Sequence, residues 1–338
     1  MKSARYLGKG EIAIAEVPIP ETGPHDVLVQ NIYSSICGTD VAVYQHGPGT
    51  GHRIAVGGEF GHETISCVVK AGQQITEFQV GQRVYPYPRY ARGNTKQAGT
   101  IGGFSEYILI PNARLNHSLY FVPDQITDKT ACLIEPFTVG TRAARRSRPK
   151  PSENAVVFGG GTIGIAAATA LKWFGLKKIM VCDISGFRLS KARALGFEVC
   201  NISSDPFIQN AVSCFGAAPS LLGETADIDI FIDAAGHESI LKQFMEYGKI
   251  ESRFVSVAVN AAVRNLDLLH LTYSQQSIIG SGGYTPEDVR DVLAMMESGK
   301  FDIESIITHE YAIDQLEEAL QMAANVDESL NVVINFSV

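Results

Sequence analysis

The chain has 338 residues, 45% apolar and 19% charged, enough for two ordinary domains with sizeable cores. A formal net charge of −8 argues against nucleic acid or an anionic membrane surface as the main partner. The opening MKSARYLGKGEIAIAEVPIP holds no apolar stretch of signal-peptide length, no run reaches transmembrane length, and the six cysteines are scattered without a C-x-x-C pair. The expectation is a cytoplasmic protein with reduced thiols and no membrane partner.

Residues 1–35 alternate apolar and polar, as antiparallel β structure does, and Asp26–Tyr33 (DVLVQNIY) is a good strand. Ile36–Asp40 (ICGTD) leads into a loop with Gly and His, Gln45–Gly58. Glu63–Val69, Phe78–Val84 and Gly103–Pro111 read as further strands, and Tyr85–Ile101 as a polar, turn-rich lobe, so the first part of the chain is a mostly β module. Residues 128–147 read as a helix, and Pro149 and Pro151 mark a boundary. From Ala155 the pattern changes to repeated βα units, with candidate strands at 155–158, 179–182, 197–200, 228–232, 253–258 and 276–280. Most of these are continuous apolar runs, as parallel strands buried on both faces require. Helical periodicity returns at Glu287–Ser298 and Gln315–Ala324, and a last strand, Leu330–Phe336, follows; this tail is too short for a domain and is assigned back to the β module.

Two groups of residues carry chemistry. Val156–Gly164 (VVFGGGTIG) runs from an apolar strand into G-x-G-x-x-G, an Ala-rich helix follows at Ile165–Phe174, and the next apolar run, Ile179–Cys182, ends in Asp183. The first glycine makes the tight turn, Gly161 lets the backbone approach a pyrophosphate, Gly164 lets the helix pack on the strand, and the helix N-terminus faces the phosphates. Asp183, nineteen residues after Gly164, stands where a carboxylate accepts from both ribose hydroxyls. The second group is Cys37, His62, Glu63 and Glu135. Thiolate, imidazole and carboxylate are zinc-ligand types, and a catalytic zinc takes three of them with one position open. Glu135 lies in the apolar run CLIEPF, where a carboxylate needs a cation partner. Each residue alone has a structural reading; together, beside a dinucleotide motif, they indicate a metal centre.

CGTD, GGEFGHE, GGFSEY, LIEPFTVG and GGGTIG followed by CD occur in this order in the zinc-dependent medium-chain alcohol dehydrogenases, and the chain resembles that family over essentially its whole length. It looks closest to the polyol branch, the sorbitol (L-iditol) and butanediol dehydrogenases, and to the related threonine dehydrogenases. The resemblance implies an α/β protein with a GroES-like, mostly β catalytic domain, 1–145 completed by 286–338, and a Rossmann domain with a doubly wound parallel sheet, 146–285. It implies that Cys37, His62 and Glu135 occupy the catalytic zinc positions, with Glu63 as an adjacent or transient ligand. Thr39 then relays the substrate proton, and Asp40 orients the zinc histidine. Gly159, Gly161, Thr162, Ile163, Gly164, Asp183 and Arg188 become cofactor contacts.

Three departures stand out. Tyr85–Ile101 lacks the four closely spaced cysteines that hold a structural zinc in many relatives, so one zinc per chain is expected. Ala42 replaces a histidine that continues the proton relay, leaving the ribose hydroxyl and water, or His46, as the exit. Ser66 stands where GHExxG would place its last glycine, which questions the local backbone.

The chemistry expected is zinc acting as a Lewis acid on a substrate hydroxyl while nicotinamide accepts a hydride. Asp183 favours NAD over NADP because a carboxylate repels a 2′-phosphate, and Arg188 steadies the ribose or adenine. The expected substrate is a small polar molecule, a secondary alcohol of a polyol, sugar alcohol or cyclitol, with His46, His52, Arg53, Tyr85, Tyr87 and Arg89 as donors near it. Alternatives are a threonine, amino-alcohol or sugar-phosphate dehydrogenase, a zinc-free quinone or enoyl reductase, and a non-catalytic dinucleotide-binding protein. Apolar Ile278 and Ile279 in the last strand of the parallel sheet make an edge that needs covering, so a homodimer or homotetramer is expected.

Overall fold

The computed structural model describes residues 1–49, 53–91 and 100–337. His52 and residues 92–99 of the Tyr85–Ile101 lobe lie outside the described residues. The chain divides into two units, residues 1–135 with 293–338, and residues 136–292. The crossings fall inside two helices, earlier than 145 and later than 285; Pro149 and Pro151 only mark the connection into the first parallel strand.

In the first unit the strands are β1 (Lys2–Gly8), β2 (Glu11–Glu16), β3 (Val27–Ser35), β4 (Glu63–Ala71), β5 (Arg83–Pro86), β6 (Tyr107–Ile110) and β7 (Leu119–Phe121). Helices α1 (Gly38–His46), α2 (Pro88–Ala91) and α3 (Asp128–Cys132) lie among them. The second unit holds α4 (Ile134–Arg146) from Pro136 onward, β8 (Asn154–Phe158), α5 (Thr162–Trp173), β9 (Lys178–Asp183), α6 (Gly186–Ala194), β10 (Glu198–Asn201) and α7 (Phe207–Phe215). It continues with β11 (Ala217–Ser220), β12 (Gly223–Ala226), β13 (Ile230–Asp233), α8 (Glu238–Tyr247), β14 (Arg253–Ser256), α9 (Leu268–Ser274), β15 (Ser277–Gly280) and α10 (Pro286–Glu297). The chain then returns to the first unit with β16 (Ile307–Ala312), α11 (Leu316–Ala324) and β17 (Asn331–Asn335).

The second unit is built on a six-stranded parallel sheet in the order β10-β9-β8-β13-β14-β15. That is the doubly wound order, which reverses direction between β8 and β13 and opens its ligand crevice outside the strand ends there. Val156, Phe158, Met180, Phe231, Phe244 and Phe254 form its core. One ionic cluster is internal to this unit. Arg145, in the last turn of α4, reaches the fully buried Asp288 at 2.8 Å, Glu287 at 2.9 Å and Asp291, all on α10.

The first unit carries a sheet ordered β16-β17-β3-β4-β5-β7, with β6 pairing on β3. β3 has β4 along one edge and divides the other between β6, at Val27–Gln30, and β17, at Tyr33–Ser35. Val27, Val29, Val68, Val84, Ile108 and Ile110 make one core; Val43, Phe60, Phe104, Leu316, Leu320 and Ile334 make another, under α1 and α11. Ser66 lies within β4 opposite Asn31, beside a shift in the β3–β4 register, and donates to Asn31 Oδ1 at 2.7 Å; the strand runs through it without a break. Three elements differ from expectation. The strand expected at 78–84 starts at Arg83, because Gly81 turns the chain at φ 92°. The helix expected at 128–147 is two helices broken at Leu133. The hairpin β11–β12 was not anticipated. No helix among the described residues is long and apolar enough to cross a membrane, and all six cysteines are free thiols.

Candidate functional site

Three metal-type donors meet where β3 ends and β4 begins. Cys37 follows β3 as the N-cap of α1, with extended backbone at φ −80°, ψ 149°. Asp40, in the first turn of that helix, accepts from the Cys37 backbone N–H through Oδ2 at 3.1 Å, and its Oδ1 stands 3.6 Å from His62 Nδ1. One buried carboxylate therefore holds the backbone of one donor and faces the ring of another. His62 arrives on a loop that requires glycine: a Cβ on Gly61, whose φ is +87°, would come 2.7 Å from Phe104 N, and Gly103 donates to the Gly61 carbonyl at 2.7 Å. Glu63 opens β4. Donor atoms of Cys37, His62 and Glu63 all lie within 4.8 Å of one another.

The electrostatics fit a cation. Water-poor surroundings push the Cys37 thiol up to about 11, and the Glu63 charge adds to the rise. Burial alone would depress His62, but the charge and hydrogen bond of Asp40 outweigh it and hold the imidazole well above its usual value. Burial, and then the charge of Glu135, push the Glu63 carboxyl up. Glu63 Oε2 is buried with no hydrogen-bond partner among the described residues. Buried like charges and an unsatisfied carboxylate oxygen are costly unless a cation is shared between them, and a thiolate, imidazole and carboxylate set suits zinc. Glu135, buried in the first turn of α4, stands outside the three-donor group but close enough for its charge to act on Glu63. Thr39 is half-buried in the first turn of α1; His46 is exposed at the other end of that helix.

The dinucleotide residues gather in the second unit. β8 ends at Phe158, and Gly159 turns the chain at φ 105°. Gly161 is the N-cap of α5 with no side-chain cap and no acid in the first turn, so the helix N-terminus is left for an anion. A Cβ on Gly164 would sit 1.7 Å from the Gly159 carbonyl oxygen. Asp183 ends β9; its Oδ2 accepts from Gly160 N–H at 2.5 Å and its Oδ1 from Ser185 N–H at 2.7 Å, which ties the acid to the turn. Arg188 opens toward the same turn, its guanidinium 3.5 Å from where a Gly161 Cβ would stand.

Residues 23–121 match the alcohol dehydrogenase GroES-like domain, and residues 162–298 match the zinc-binding dehydrogenase domain. The chain belongs to the zinc-dependent medium-chain dehydrogenases. Among its relatives, L-threonine 3-dehydrogenase of Anaeromyxobacter sp. (strain K) is 26% identical, over 91% of this chain and 90% of the relative. Sorbitol dehydrogenase of Rattus norvegicus is 26% identical, over 94% and 90%. The crystal structure of 2R,3R-butanediol dehydrogenase from Bacillus subtilis is similar with a TM-score of 0.85, at 25% identity and covering 99% of each chain.

In this dehydrogenase Tyr44, Tyr85 and Tyr87 are buried. Tyr44 donates to Glu317 at 2.7 Å, and Tyr85 and Tyr87 are buried against Tyr120, at ring distances of 6.1 and 6.3 Å. Burial, followed by the neighbouring Tyr90, pushes Tyr87 up to about 12. Arg53 and Arg89 are exposed. Sequence reasoning missed three residues. Ser35 faces Glu63 across the β3–β4 pair, Asn331 donates to Ser35 Oγ from β17, and neither carries a motif. Asp233 ends β13 beside Phe158, and its Oδ1 accepts from Ala235 and Gly236 N–H groups, fixing the turn at the crevice; the run IFID, parallel to MVCD, was a readable signal.

Proposed function

We propose that this dehydrogenase oxidises a secondary alcohol of a polyol, sugar alcohol or cyclitol to the ketone, reversibly, with NAD as hydride acceptor. The observation that carries the reading is the Cys37–His62–Glu63 group with a second buried carboxylate, Glu135, on the chain that also ties Asp183 to a glycine turn. Zinc supplies Lewis acidity to an alcohol oxygen, and NAD supplies the acceptor for its hydride. Cys37 and His62 bind the metal together with the carboxylates of Glu63 and Glu135. Asp40 keeps the His62 Nδ1 side engaged, which directs the other ring nitrogen to the metal. The Thr39 hydroxyl, two residues beyond Cys37, takes the substrate proton and passes it outward, with His46 on the same helix face as one exit. Gly159–Gly164 and the α5 N-terminus receive the pyrophosphate, Arg188 steadies the adenosine side, and Asp183 keeps lone pairs for the ribose hydroxyls, which favours NAD over NADP. One zinc per chain is part of the reading, as is a location in the cytoplasm.

The names of the sorbitol and butanediol dehydrogenases among the relatives support a polyol; the threonine dehydrogenase keeps an amino alcohol as the second reading. We also propose a homodimer or homotetramer paired at the β15 edge, where Leu268, Leu269, Tyr273 and Ile278 are exposed. The deciding experiment compares NAD reduction with C4–C6 polyols, cyclitols, sugar phosphates, threonine and hexan-1-ol under identical conditions. A polyol or cyclitol should lead; hexan-1-ol or threonine as the better substrate overturns the assignment.

A further inference from the structure

The serine that replaces the last glycine of GHExxG has a matching partner. Ser66 in β4 stands directly opposite Asn31 in β3, and both are buried. Ser66 Oγ donates to Asn31 Oδ1 at 2.7 Å. The amide nitrogen of Asn31 then gives its two hydrogens to two carbonyls, that of Gly103 at 3.0 Å and that of Ser105 at 2.7 Å. Ser105 is also held by Ser3, Oγ to Oγ at 2.7 Å. Segment 103–105 is in turn seated on the loop that carries His62. Gly103 N–H donates to the Gly61 carbonyl at 2.7 Å, and Phe104 N–H to the Phe60 carbonyl at 3.0 Å. The seat leaves no room: a Cβ at position 103 would lie 2.8 Å from the Gly61 carbonyl carbon and 2.8 Å from His62 N. From Ser66 to the His62 backbone every step is a hydrogen bond or a close contact.

We propose that Asn31, oriented by Ser66, is a positioning residue for His62: its amide clamps segment 103–105 on the Gly61–His62 peptide and so sets where the imidazole meets the metal. This rests on the zinc reading above. Two devices divide the work. Asp40 faces the ring at Nδ1 from α1, 3.6 Å away, and the Asn31 clamp holds the backbone from which that ring hangs. The chemistry of the pair is specific. Two carbonyls call for two N–H donors on one short side chain, which an amide supplies and a carboxylate does not. The Ser66 hydroxyl fixes which way the amide points, because a flipped amide would set its oxygen against the two carbonyls. Glycine at position 66 would leave Asn31 Oδ1 buried without this donor.

The test uses the full-length chain. It reads zinc affinity, by competition with a chromophoric chelator, and the visible spectrum of the cobalt(II)-substituted protein. Ser66→Ala and Asn31→Ala should each weaken zinc roughly tenfold, the low end for partners that orient a ligand, and shift the cobalt bands. The double variant should lose no more than Asn31→Ala alone, since Ser66 acts through the amide. Ile110→Val, a core change in the same unit outside this series of contacts, should lower melting while keeping wild-type affinity and spectrum. If Asn31→Ala does not fold, Ser66→Ala compared with Ile110→Val decides the matter. Wild-type affinity and spectrum in Ser66→Ala, losses that add in the double variant, or an equal loss in Ile110→Val overturn the inference while zinc binding stands. A wild-type chain that takes up neither zinc nor cobalt overturns the zinc reading instead.

Discussion

Alanine at Gly161 and at Gly164 should separate two tasks performed by one turn. A Cβ on Gly164 would lie 1.7 Å from the Gly159 carbonyl oxygen and 2.9 Å from its carbon, both backbone atoms that cannot swing aside. α5 must therefore lift off the turn, and overpacking of this kind costs about 3 kcal/mol. For a unit of this size that lowers the melting midpoint by roughly 6–12 °C. A Cβ on Gly161 meets only the Arg188 guanidinium at 3.5 Å, an ordinary contact, and the backbone at φ −74° suits alanine. Its cost to stability is about 1 kcal/mol at most. The new methyl would instead hold the pyrophosphate away from the N–H groups at the helix start. Losing one charge-assisted hydrogen bond costs about 1.5–3 kcal/mol, hence a rise of roughly 10–100-fold in the Kd for NADH. Calorimetry and NADH fluorescence titration read the two effects independently. A Gly161→Ala protein that binds NADH as the wild type does would refute the assignment of phosphates to this turn, and a Gly164→Ala protein that melts like the wild type would refute the close packing.

Cys37→Ser should lose zinc and most turnover while keeping its affinity for NAD, as metal analysis and NADH titration would show. Because Cys37 in the metal-free protein stands near 11 and Glu63 and His62 are also raised, zinc uptake at pH 7 must displace protons. Affinity should therefore climb with pH, and calorimetry in buffers of different ionisation enthalpy should register proton release; a pH-independent affinity contradicts this. Asp183→Ala should weaken NAD and raise relative use of NADP, measured as the ratio of kcat/KM for the two cofactors; a wild-type preference for NADP overturns the reading. Arg145→Ala takes the nearest cation from the fully buried Asp288, which keeps Arg142 at 3.7 Å and two hydrogen bonds from Thr285, and should cost about 1.5–3 kcal/mol, whereas a melting midpoint within 2 °C of wild type, roughly the shift from 1 kcal/mol, would show the cluster to be inert. Tyr273→Asp should lower the mass seen by light scattering; a wild-type chain that is monomeric at all concentrations refutes pairing at β15.

The parallel sheet was legible because its strands are short unbroken apolar runs, a pattern set by burial on both faces. The Cys37–His62–Glu63 cluster was legible because close backbone approach forces glycines around His62 and buried carboxylates look out of place in apolar runs. What stayed hidden has equally physical causes. The β11–β12 hairpin contains Pro219 and lacks an Asn-Gly turn, so no local signal announces it. The break at Leu133 follows from Pro136, which has no N–H to give and is tolerated in the first turn of a new helix but not in the middle of a longer one. Tyr85 and Tyr87 look like donors in sequence, yet strand geometry and the turn after β5 send them into the aromatic cluster with Tyr120. Ser35 and Asn331 meet only because strands from opposite ends of the chain pair, a separation no periodicity can bridge.

That same pairing sets an order of assembly during synthesis. All six strands of the parallel sheet occur in one continuous stretch, so a nascent chain can complete the dinucleotide unit while its C-terminal part is still being made. The sheet of the first unit cannot close then, because β17 follows its other strands in sequence and must enter between β16 and β3. Until it does, Tyr33–Ser35 present an open strand edge next to Cys37, and Ser35 has no Asn331 to hold it. A chain cut short ahead of β17 would therefore hold a complete parallel sheet and an open β3 edge prone to pair with other chains.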